Sequence, residues 1–182
     1  MLEGFVGKVM AGLLSVSTLM FSSYSGNDAK FQSLNCRPSQ NYLIVKAVLD
    51  KAFDNDFTDV FNCGKIVTVR FKLELRNNND LVHTSSYRRT VLFTPMQASW
   101  DVFYSENGRR EIYTDYRTML SEIAILECSV PRNSQWKKIE IRVESWLDPV
   151  ELTQPDRNVD LMVLWKFKRP SIKRNFTLPP IS

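Results

Sequence analysis

The sequence is poor in the residues that most catalytic and metal-binding chemistry requires. It has one histidine, three cysteines and six glycines among 182 residues. A Ser–His or Cys–His nucleophilic pair would have to use His83. Its neighbours Val82 and Thr84 add no motif, so His83 is expected at the surface, in or beside a turn. The cysteines stand at 36, 63 and 128, without the closely spaced pairs of a zinc site. No glycine-rich phosphate loop and no calcium-loop spacing of acidic residues is present. These gaps lead to an expectation of no metal and no cofactor. Long runs of one charge are also missing. Net charge is +4 with a pI near 9.0, and Lys and Arg alternate with Asp and Glu. A nucleic-acid surface concentrates its cations, so no nucleic-acid partner is expected.

Residues 1–26 read as a targeting segment. Lys8 closes a short amino-terminal region, and Val9–Phe21 carries no charge. Ser23 and Ser25 offer small residues at −3 and −1 of a cut after Ser25, the plan of a secretory signal. The run is shorter than the ~20 residues of a membrane-spanning helix. An uncleaved anchor is the alternative. The expected location is the periplasm or cell envelope, with membrane contact only through this segment if it is retained. Export would permit a disulfide. Cys63 and Cys128, each at the expected end of a helix, are the better pair; buried free thiols are the competing reading.

The most informative stretch is Lys65–Arg76, KIVTVRFKLELR. Val67, Val69, Phe71, Leu73 and Leu75 fall on one side and Thr68, Arg70, Lys72, Glu74 and Arg76 on the other. That two-residue period is a strand with one dry face. Strands are also expected at 42–49, 81–93, 99–104, 111–113, 138–146 and 161–168. Within 81–93, Tyr87, Arg89, Val91 and Phe93 share one side. The cluster Asn77-Asn78-Asn79-Asp80 predicts a hairpin turn. Two helices are expected. One spans 50–63, with Ala52, Phe53, Phe57, Val60 and Phe61 as its stripe and Gly64 as its stop. The other starts at a cap on Thr114 or Asp115, runs through Leu126 and is ended by Pro131. The fold class is therefore mainly β: an antiparallel sandwich of about seven strands with two short helices. Residues 27–40 read as a polar linker, 41–169 as the sandwich domain, and 170–182 as an extended tail with Pro170, Pro179 and Pro180.

Candidate binding residues come from aromatic–polar combinations. Trp146-Leu147-Asp148-Pro149 joins an aromatic, a carboxylate and a fixed turn at a strand end, with Arg142 on the same strand. Trp100 and Asp101 form a second pair. Aromatic–basic interleaving can stack ligands, though aromatics more often fill a core. An edge-strand docking site fits the first group equally well.

Several blocks carry a family resemblance: LIVKAVLDKAF followed by DVFNCGKIVTVRFKLELR, then the Trp100-Asp101 pair with Tyr113, then KKIEIRVESWLDPVEL. In this order they resemble the bacterial exported-protein family classed as domain of unknown function 4390, over Asn41–Phe167. That family has Tyr where this chain has Trp100. The resemblance implies an envelope location, a β-rich fold and no assigned activity or catalytic residues.

The resulting expectation is a non-enzymatic envelope protein that docks another envelope protein through a sheet edge or the Pro-containing tail. One alternative is a lipid carrier whose cleft is lined by Phe53, Phe57, Phe61 and Phe71. An envelope hydrolase is a further alternative, disfavoured by the single histidine.

Overall fold

A computed structural model describes residues 26–55, 57–153 and 156–180. The expected leader lies almost entirely outside these residues. Two antiparallel sheets pack as a sandwich. The first contains β1 (Lys30–Pro38), β2 (Tyr42–Asp50) and β7 (Ile125–Pro131), in the order β1-β2-β7. The second contains β3 (Val67–Asn77), β4 (Asp80–Thr94), β5 (Ser99–Tyr104), β6 (Arg109–Tyr113), β8 (Lys138–Leu147) and β11 (Ser171–Thr177). Its order is β11-β8-β3-β4-β5-β6. A separate hairpin joins β9 (Val150–Thr153) to β10 (Asp156–Val159). Among the described residues the α-helices are α1 (Phe57–Phe61) and α2 (Tyr116–Ile123).

β3 sits inside the larger sheet, between β8 and β4. Val67, Val69, Phe71, Leu73 and Leu75 are all fully buried, as their period requires. The β3–β4 connection is a two-residue turn in which Asn78 and Asn79 take left-handed φ of 51° and 73°. Asn tolerates that region, and such turns match the twist of paired strands. His83 is part of β4, opposite Leu75, rather than in the turn.

Several elements depart from the sequence expectation. Residues 30–38 are a strand, not a linker. A bulge between Phe31 and Ser33 breaks the alternation of KFQSLNCRP, so its buried Leu34 is not announced by a period. The tail is likewise part of the sheet: β11 pairs with β8, and Leu178 is buried. The first helix covers only Phe57–Phe61, because Lys51 takes φ 53° just after β2. Its expected stripe is nevertheless buried. Asp115 does cap α2, accepting from the Thr118 amide at 2.7 Å. That helix stops at Ile123, and ILECSVP continues as a strand with alternating burial. Finally, 161–168 is not a strand. Leu161–Trp165 forms a 3₁₀ helix, capped by Asp160 and closed by left-handed Lys166 and Phe167. Burying Leu161, Met162, Leu164 and Trp165 together needs a helical turn.

These short helices plug one end of the sandwich, hereafter the base, where β3 begins and β4 ends. Phe53 meets Phe57, Phe61 and Trp165 with ring centroids 5.0, 5.8 and 6.1 Å apart. Phe61 continues to Tyr116 of α2, and Tyr116 to Trp100. The Trp165 indole donates to the Ala52 carbonyl at 2.7 Å. The Trp165 indole is thus satisfied, whereas the buried Tyr116 hydroxyl has no hydrogen-bond partner among the described residues.

Cys36, Cys63 and Cys128 are free thiols. Cys63 and Cys128, the candidate disulfide pair, are both free and buried. Cys128 belongs to β7 rather than to a helix end, whereas Cys63 follows α1.

Candidate functional site

The sequence candidates separate onto two faces. Trp100 points inward. It is buried, donates its indole N–H to the Asn62 side-chain oxygen at 3.0 Å, and packs on Phe93 with centroids 5.3 Å apart. Asp101, one residue on, points outward and pairs with Arg110 at 3.5 Å. Trp146 and Arg142 lie on the outward face of β8, and Asp148 follows that strand. Arg70 donates to Asp148 at 2.7 Å, and the Asp148 amide donates to Thr68 at 3.0 Å. The Arg169 guanidinium stacks 5.1 Å from the Trp146 ring centroid. Arg142 donates to the Ser171 hydroxyl at 3.2 Å. Trp146, Asp148 and Arg142 are thus engaged within a ladder of strands closed on one side by β11. The structure does not bring them together with Trp100.

On its opposite side the sheet ends at β6. β6 pairs only with β5 among the described strands, so its far edge is unpaired. Register fixes its faces. Arg110 lies beside Phe103 and Thr90, and Ile112 beside Asp101 and Leu92, all outward. Leu92 and Ile112 lie on one outward register line with Asp101 between them. Both are exposed, Ile112 by 66%. Arg88 is an exposed cation on the same face. The edge therefore offers free backbone groups with exposed Ile112 and Arg110 beside them.

Behind β6 lies a polar cleft of about 310 Å³. Lys46, Arg89 and Arg109 face Glu106, Glu122 and Glu127 across it. Arg89, on β4, is 1% exposed and pairs with Glu106. It also donates to the Ile125 carbonyl at 2.8 Å, tying the large sheet to the small one. Arg89, Tyr104 and Arg109 form one cross-strand row. Their guanidinium carbons lie 4.9 and 4.4 Å from the Tyr104 centroid. Phe71 lies 5.4 Å from Arg89. Such desolvated cation–ring contacts are favourable. Burial lowers the Arg89 pKa, and Glu106 opposes that shift. Burial also raises Tyr104 and Tyr113, the latter with help from its hydrogen bond to Glu111. Lys46 is matched by Glu127 at 3.1 Å and Arg109 by Glu122 at 3.9 Å.

Arg89, Glu106 and the β6 edge are absent from the sequence candidates. One signal for Arg89 was visible: a full charge on the apolar phase of Tyr87, Arg89, Val91 and Phe93. A charge in that phase implies a buried partner. In comparisons with known proteins, no family model, no curated protein and no solved structure matches this chain.

Proposed function

We propose that the chain is a non-enzymatic protein of the cell envelope that docks an extended segment of another envelope protein along β6. The observation that carries this reading is the unpaired β6 edge, with Ile112 exposed on that strand. An added strand would gain main-chain hydrogen bonds from the edge and side-chain contact with Ile112. Arg88 and Arg110 on the same outward face favour a segment with acidic side chains beside apolar ones. The tail offers less, because β11 and Leu178 are held against the large sheet. The lipid-carrier reading is weaker, because Phe53, Phe57 and Phe61 pack on one another and fill the space a bound chain would need. Export and periplasmic location rest on the apolar run Val9–Phe21 and on the resemblance to the exported family.

The test is purification of the tagged full chain from native envelopes, compared with Ile112→Arg and, on the other sheet, Ile44→Arg. Both positions are exposed, so neither substitution buries a charge and both variants are expected to fold. The reading expects a stoichiometric protein that is lost with Ile112→Arg and kept with Ile44→Arg. Equal retention by both would reject the β6 edge as the docking site.

A further inference from the structure

We propose that the base of the sandwich rests on a lipid membrane surface, with Ile66, Met96 and Phe167 dipping into its headgroup region. Independent strand ends place these residues at the base. Ile66 directly precedes β3, Met96 is in the β4–β5 turn, and Phe167 follows the 3₁₀ helix that contacts the end of β8. They are 58, 89 and 67% exposed, among the most exposed large apolar side chains described. Each sits in a connection rather than on a sheet face, so each can enter a soft interface without disturbing a ladder.

The backbone holds them outward at a cost. Lys51, Ala98, Lys166 and Phe167 have φ of 53°, 47°, 52° and 56°, and all four lie at the base. Left-handed conformations are unfavourable for such residues and gather where a surface has a task. Lys166 and Phe167 are consecutive, and that kink displays the Phe167 ring to water. A docile connection would carry Gly or Asn, as the turn at the opposite end does with Asn78 and Asn79.

The chain also enters at the base. Asn27 donates its amide to Leu164, and its side chain donates to the Asn55 carbonyl at 3.1 Å. Gly26, the first described residue, therefore lies at the end that carries the exposed apolar side chains, and the charge-free run Val9–Phe21 precedes it in the sequence. Lys51, Lys166 and Lys168 surround Asp28 nearby. Their long stems suit the headgroup layer. Acidic residues share this end, so apolar insertion rather than net charge drives the contact. The β6 docking edge runs along the side of the sandwich and stays free for a protein.

The test uses the full chain with a spin label at Met96→Cys or, at the opposite end, at Leu81→Cys. The unsubstituted chain gives the background from its own thiols. Vesicles of phosphatidylethanolamine and phosphatidylglycerol are the probe. Expected is a label at 96 that becomes accessible to oxygen and shielded from a water-soluble nickel chelate, while the label at 81 stays in water. Phe167→Ser should lower vesicle partitioning roughly tenfold. Labels at 96 and 81 that both remain water-exposed on sedimented vesicles would overturn the proposal, leaving the first 25 residues as the only attachment. So would failure to sediment, or shielding at 96 that requires an added protein rather than lipid.

Discussion

Arg89 on β4 and Glu106 in the β5–β6 turn form an ion pair whose side chains are 1% and 6% exposed. Two charges taken out of water cost several kcal/mol each, and their attraction offsets this only with good geometry and further hydrogen bonds. Here Arg89 donates to the Ile125 carbonyl and lies against the Tyr104 and Phe71 rings, while its Nε is buried without a hydrogen-bond partner among the described residues. The pair ties the β5–β6 turn, which leads into the β6 edge strand, to β4.

Removing one partner leaves the other charge buried alone. Glu106→Gln should cost about 3 kcal/mol or more in urea unfolding. Arg89→Met should cost a similar amount, and the double variant with Glu106→Leu should lose clearly less than the sum. Additive losses would show that the two side chains do not act as a unit.

On β3, Phe71→Asp places a carboxylate at a fully buried position and should cost ~3 kcal/mol or more. From sequence alone Arg70→Asp should be close to neutral. The structure changes that expectation, because Arg70 holds Asp148 at 2.7 Å on a half-exposed face. Replacing it sets two carboxylates together, and the expected loss is about 1 kcal/mol. Thermal melts of the two variants measure the difference; equal melting would contradict the face assignment.

The thiols give a pH-dependent prediction. Burial pushes Cys36 and Cys128 up to about 11. A thiol whose folded value is raised contributes stability that is intact below its ordinary value of 9.0 and is lost as pH rises toward 11. Native protein at pH 8 should react slowly with a disulfide reagent, and denatured protein should yield three thiols. A reagent-accessible thiolate at pH 8, or a mass shift on reduction, would contradict the structure.

The larger sheet was legible where strands are long and half-buried. Val67–Leu75 and Ile139–Val143 alternate without interruption, and the Asn77–Asp80 turn has matching chemistry. β1 was hidden by its bulge, and β7 because Ile123 and Leu126 fit a helical stripe as well as a strand face. Leu161–Trp165 is short and apolar throughout, so period could not separate a strand from a 3₁₀ turn. Aromatic–acid adjacency drew attention to Trp100-Asp101, but successive residues on a strand face opposite ways. The β6 edge depends on strand order, which no local pattern carries.

The most direct test of the docking account is site-specific photo-crosslinking in native envelopes, with the photoreactive residue at position 112 or, as a control, at position 44. The account predicts one discrete product with another envelope polypeptide at 112 and none at 44. No product at 112, or the same products at both positions, would contradict it.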